Sequence, residues 1–169
     1  LSFVVSISRL YADSSFGKIK NLDNFCRLAK ENYDEAYRLF YSSNFKNLIR
    51  EDKDRILYEG LRMQPQAALI VETFLIASHH KKKVEVTFEE TEKSFYGVQG
   101  QRKEQLEIQK PQWGAVRIHV SSDADFLIPG KQIITENDFI GSTCFYEYYI
   151  DADAMHAGKN FGRLCFELP

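Results

Sequence analysis

The chain has 169 residues, 44% of them apolar and 14% aromatic, and 22 basic side chains stand against 24 acidic ones. That content excludes a disordered polymer and suits one domain, or two small ones. A net charge of −2 gives no general attraction to nucleic acid or to an anionic membrane, since partners of either kind leave a basic excess.

The opening run Leu1-Ser2-Phe3-Val4-Val5-Ser6-Ile7 has no initiator Met, lacks a positive n-region and meets Arg9 early. It predicts neither a signal peptide nor a membrane span. Together with an end at Leu168-Pro169, directly after a strand-like run, it predicts a piece cut from a larger protein. Cys26, Cys144 and Cys165 are odd in number and show no Cys-x-x-Cys spacing, which favours a reducing, cytoplasmic setting. A Cys144 to Cys165 disulfide between neighbouring strands stays open.

Composition changes near His80. Residues 1–80 carry 11 basic and 10 acidic groups with two glycines, whereas 81–169 carry 11 and 14 with seven glycines. A helical subdomain over 1–80 and a β domain over 81–169 are therefore expected. Leu22, Phe25, Cys26 and Ala29 recur at helical spacing, with Asn21 to cap the start and Asn32 to close the end. Asp34 offers the next N-cap, placing Ala36, Tyr37 and Phe40 on one face; Phe45, Leu48 and Ile49 follow the Ser42-Ser43-Asn44 break. The cluster Glu51-Asp52-Lys53-Asp54-Arg55 opens a helix through Ile56, Leu57 and Leu61, because acids in a first turn complement the helix dipole. Pro65 suits a first helical position, and 67–77 is apolar nearly all round, as a fully buried junction element would be. Its β-branched residues leave a strand reading open, and Glu72 together with its shortness excludes a span.

From Val84 the pattern alternates: Val84, Val86 and Phe88; then Leu106 and Ile108; then Val116, Ile118 and Val120. Further strands are expected at 125–128, 132–135, 143–150 and 163–168, with glycines at the turns. About seven short strands without intervening helices predict an antiparallel sandwich with immunoglobulin-like packing.

Few constellations carry chemistry. The Asp-Ala-Asp triplets put Asp123, Asp125, Asp151 and Asp153 in loop-like positions, where carboxylates can converge on Ca²⁺ or bond their own turns. His79-His80-Lys81-Lys82-Lys83 reads as a phosphate clamp or a solvated linker. Cys144 with His119 or His156 is the only candidate nucleophile and base, and Cys144 falls in register with the inward Tyr146, Tyr148 and Ile150. Gly158-Lys159-Asn160-Phe161-Gly162 lacks the Ser or Thr and the helix of a phosphate loop, so a tight turn is expected. Trp113, Phe145 and Tyr149, with Phe95 and Tyr96, form either an outward aromatic strip or a surface covered by the helical part.

The segments Trp113-Gly114, Ser121-Ser122-Asp123-Ala124-Asp125-Phe126, Asp138-Phe139-Ile140-Gly141, Tyr149-Ile150-Asp151 and His156-Ala157-Gly158-Lys159-Asn160-Phe161-Gly162 resemble the immunoglobulin-like β module of a family of large, uncharacterised, multidomain proteins from Gram-positive bacteria. The likeness covers roughly 84–168 and more loosely the preceding helices. It implies a β-sandwich within a long chain and carries over no activity.

These readings converge on an α+β chain, an N-terminal helical subdomain packed on an antiparallel immunoglobulin-like β-sandwich of about seven strands. The expected role is a non-catalytic structural or protein-binding module. Its partner would be another protein or other domains of the parent chain, with no cofactor, nucleic acid or membrane insertion. A carbohydrate-binding or accessory module, stacking sugars on Trp113, Phe145 and Tyr149, is the alternative.

Overall fold

The structure, a computed structural model, describes residues 17–169, and the apolar run at 1–7 lies outside the described residues. The chain divides into two compact units, Leu1–Lys83 and Val84–Pro169. Among the described residues the first holds four α-helices and the second seven strands, each pair antiparallel. The chain is α+β.

In the first unit, α1 (Leu22–Glu31) starts where the Asn21 side chain accepts from the Asn24 N–H at 2.8 Å. Asn32 serves twice. Its backbone N–H closes α1 on Leu28, and its side chain caps α2 (Tyr33–Tyr41) by accepting from the Glu35 N–H. Asp34, the expected cap, sits instead in the first turn, where its charge favours the dipole. A 3₁₀ turn, Phe45–Leu48, leads to α3 (Asp52–Arg62) and then to α4 (Ile70–Ala77). Pro65 lies in the irregular link before α4, not at its first turn, and Ala67 to Leu69 are exposed.

The 67–77 block thus holds a helix of eight residues, which settles the helix-or-strand alternative. It packs on each of the other three helices, at the centre of this unit. Each element sends one fully buried ring inward: Phe25 from α1, Phe40 from α2, Phe45 from the 3₁₀ turn, Tyr58 from α3 and Phe74 from α4. Centroids stand 4.6 to 6.2 Å apart, mostly edge to face, a geometry worth about 0.5–1.5 kcal/mol per pair beyond area burial. The Tyr58 hydroxyl donates to the Phe40 carbonyl at 2.8 Å, so its polar end is satisfied inside that cluster.

In the second unit one sheet runs β1-β2-β6-β4 and the other β5-β3-β7. The strands are β1 (Thr87–Phe88), β2 (Gln101–Gln109), β3 (Arg117–Ser122), β4 (Leu127–Pro129), β5 (Ile133–Thr135), β6 (Thr143–Asp151) and β7 (Leu164–Glu167). Period-two alternation sends Cys144, Tyr146, Tyr148 and Ile150 of β6 inward together with Ile108 of β2. Ile118 and Val120 of β3 and Ile134 of β5 join them in the same core.

The strand order departs from the expected immunoglobulin-like one, which pairs strands 1-2-5-4 and 3-6-7. Here β6 lies beside β2, and β3 is the middle strand of the smaller sheet. Strand length explains the choice. The nine residues of β2 pair along their whole length with the nine of β6, Gln101 with Asp151 through Gln109 with Thr143. The three-residue β5 offers no such ladder. Gly130 marks where β4 leaves this sheet: a Cβ there would lie 2.3 Å from the Glu147 carbonyl oxygen, so only glycine admits that approach.

Candidate functional site

The polar residues of the helical unit are drawn into its structure. Asp54 is 4% exposed and begins the inward stripe of α3, which continues through Leu57, Tyr58 and Leu61. His80 faces it, with Nε2 3.9 Å from Asp54 Oδ2 and Nδ1 3.1 Å from Asp23 Oδ1. Beside it Lys81 Nζ lies 3.0 Å from Glu72 Oε1, and both side chains are almost wholly buried. The Cys26 thiol donates to the His80 carbonyl at 3.4 Å, and burial pushes its pKa up, which favours the thiol over the nucleophilic thiolate. His80 and Lys81 are therefore packed inside this unit, which corrects their reading as a solvated linker or phosphate clamp. Lys82 and Lys83 remain exposed.

In the β unit two of the four Asp-Ala-Asp carboxylates accept from loop backbone, Asp123 from a distant segment and Asp151 within its own turn. Asp123 Oδ1 accepts from the Arg163 N–H at 2.6 Å, and Asp151 Oδ1 accepts from the Asp153 N–H at 3.0 Å. Asp125 and Asp153 are exposed. Among the described residues no group of three or more His, Cys, Asp or Glu side chains is placed to hold a metal ion.

Cys144 is buried in the core, and that burial, with Asp138 nearby, raises its pKa. His119 points outward on β3 between Ile133 and Glu167, and the His156 ring lies against the Ala157 carbonyl. Among the described residues no hydrogen bond joins Cys144 to either histidine. Cys144 and Cys165 are both free, on strands of different sheets.

The aromatic candidates are placed differently from one another. Phe145 is 53% exposed on the outer face of β6. Tyr149 shares that face but is half-buried, paired with Lys103 of β2 and Ile128 of β4. Between them Glu147 pairs with Lys103 at 2.7 Å, so a carboxylate interrupts the strip. Trp113 is half-buried in the segment between β2 and β3. Phe95 packs on the core, with the Arg102 guanidinium 5.2 Å and the Lys93 ammonium 5.6 Å from its ring centroid.

The most exposed apolar groups of this unit are Tyr96 of the expected strip, at 87%, and two outside it, Phe161 at 85% and Ile140 at 81%. Ile140 opens a tight turn closed on Thr143, whose N–H and carbonyl it meets reciprocally, with Gly141 at φ 66°. Being opposite Thr143, it stands on the same outer face as Phe145. A sequence signal existed for both Ile140 and Phe161: each is a large apolar residue beside a turn glycine, where no inner face is available.

Among the described residues no helix is long and apolar enough to cross a membrane. No curated protein and no solved structure matches this chain. One family model does, described as the N-terminal part of a family of unknown function, DUF5717, and it matches residues 1–169 from end to end. The chain therefore belongs to the DUF5717 family, as its N-terminal part.

Proposed function

We propose that this chain is a non-catalytic, protein-contacting module of a larger protein. The observation that carries this reading is the surface of the β unit, where Tyr96, Ile140, Phe145 and Phe161 are each more than half exposed beside a well-filled core. Large apolar groups held outward on paired strands and tight turns cost free energy in water, and contact with a partner recovers it. Polar groups support the same reading. The histidine, lysine and carboxylates of the helical unit stabilise its packing, and those of the Asp-Ala-Asp turns shape loops.

The sugar-stacking alternative draws less support. It needs neighbouring open rings, whereas Trp113 and Tyr149 are half-buried and Glu147 separates Tyr149 from Phe145. The test is affinity capture with the whole chain and with a variant carrying Tyr96→Ser, Ile140→Ser, Phe145→Ser and Phe161→Ser, after circular dichroism shows the same fold. A protein retained by the parent chain and lost by the variant is expected. Equal retention by both, or turnover of a small substrate by the chain, would overturn the proposal.

A further inference from the structure

Strand register fixes which side chains share the outer face of the larger sheet. Cys144 and Tyr146 of β6 point into the core, so Phe145 between them points out, and Glu107 of β2 is its direct cross-strand partner. On the other side of β2, Phe88 packs on the core, and the next residue, Glu89, donates its N–H to the Glu107 carbonyl at 3.4 Å. Continuing the β1–β2 register, Glu89 falls opposite Glu107. Glu89, Glu107 and Phe145 therefore form one row on one face, with Cβ atoms of neighbours about 5 Å apart. Ile140, opposite Thr143 in the adjoining row, extends the apolar end. Phe145 is 53% and Ile140 81% exposed.

The charge of this face follows from the same register. Its paired strands β2 and β6 bring one cation to it, Lys103, which Glu147 of the same face engages at 2.7 Å. Glu89 and Glu107 have no ion pair among the described residues. The Glu107 carboxylate is held in place: the Gln109 side chain donates to it, and Gln109 in turn accepts from the Thr143 hydroxyl at 3.1 Å. Glu89 lies against it, and the bond to Glu107 together with its charge pushes the Glu89 carboxyl above its ordinary value. Two carboxyl groups thus abut without a cation, beside an open aromatic ring on a paired strand. A group fixed before docking loses little entropy on binding.

We infer that the row Glu89, Glu107 and Phe145 is where the protein-contacting module engages its partner, and that this partner is an extended protein segment presenting a lysine or arginine beside an apolar side chain. The inference rests on the module reading above. The cation sits between the two carboxylates and removes their mutual repulsion, while its apolar neighbour covers Phe145 and Ile140. Alternate residues of an extended segment project on one side about 7 Å apart, which spans both halves of the row. Charge excludes an anionic membrane, because the unit Val84–Pro169 carries eight Lys and Arg against fourteen Asp and Glu. The same excess steers a cationic segment toward this unit.

The experiment is a titration of the whole ¹⁵N-labelled chain with the blocked peptide Lys-Ser-Leu-Ser-Lys-Ser-Leu, followed by backbone amide shifts. Parallel arms use Glu-Ser-Leu-Ser-Glu-Ser-Leu, Lys-Ser-Ser-Ser-Lys-Ser-Ser, calcium chloride, and the chain concentrated alone. Shifts centred on 87–89, 105–109 and 140–147 are expected with the first peptide. Glu89→Gln with Glu107→Gln, and separately Phe145→Ser, should each weaken binding about tenfold with amide spectra otherwise unchanged, whereas Glu167→Gln on β7 should leave it unaltered. Shifts spread over the acidic surface, equal binding of either control peptide, or unaltered affinity in either row variant would overturn the inference. So would the same shifts from calcium, which marks a simple cation site, or from concentrating the chain, which assigns the face to a second copy. No localised shifts, with partner capture still lost in the four-serine variant, reject the basic segment and keep the module; no shifts together with equal capture by both chains reject the module as well.

Discussion

His79 holds a backbone φ of 61°, the one non-glycine among the described residues to do so. It stands just past the end of α4, where its N–H donates to the Ile76 carbonyl at 3.1 Å and the following N–H of His80 donates to Leu75 at 2.9 Å. Those two bonds are the Schellman arrangement, whose left-handed position glycine fills without strain. His79→Gly is expected to raise stability by about 0.5–1 kcal/mol in urea unfolding, and His79→Val to lower it.

The adjacent Lys81 and Glu72 answer a different question. Removing one partner leaves a buried charge, so Lys81→Met or Glu72→Leu alone should cost about 3–5 kcal/mol, and the double variant should recover most of that loss. Asp138 supplies a pH test. Burial pushes its carboxyl up, but the bond from Lys131 and those from Thr135 outweigh it and hold the pKa below the ordinary carboxylate value. A lowered native pKa lends stability above about pH 4, which is lost as pH falls through it. Asp138→Asn should therefore be less stable than the parent at pH 6, and the gap should narrow towards pH 3 when both are unfolded by urea.

Element by element, the helices and most strands were readable because their periods are clean. Leu22, Phe25 and Ala29 are buried at their predicted places, and β6 sends Cys144, Tyr146, Tyr148 and Ile150 inward as its alternation requires. The inward stripe of α3 was not readable, because it starts on a carboxylate. Asp54 is inside while Ile56 is 73% exposed; its place in the first turn of α3 and the distant His80 offset that burial. Pairing order was hidden for a similar reason: nothing local states that β2 must match β6 rather than β5.

Glycine substitutions separate the two kinds of position. Gly60 lies within α3 with open space where its Cβ would go, so Gly60→Ala should stabilise by about 0.5–1 kcal/mol through helix propensity. Gly130→Ala drives a methyl group into the Glu147 carbonyl and should lower the unfolding midpoint by several degrees, with β4 amides losing hydrogen-exchange protection first.

At the scale of the whole molecule, two compact units lie on one chain; Tyr96, Ile140, Phe145 and Phe161 belong to the second, and the first exposes Ile56, Met63 and Leu69. Of the expected site, Phe145 was legible from strand alternation and is open to solvent, while Trp113 and Tyr149 are half-covered. Phe161 and Ile140 escaped notice because alternation says nothing about side chains at turns.

The central claim is that this surface contacts another protein, and site-specific photocrosslinking addresses it most directly. A benzophenone amino acid is placed at Phe161, at Phe145 or, as a control, at the exposed His119 of β3, and the whole chain is irradiated in the cells that produce it. A defined protein crosslinked from positions 161 or 145, and not from 119, is the predicted result. Crosslinks equal at all three positions, or absent from 161 and 145, would contradict the claim.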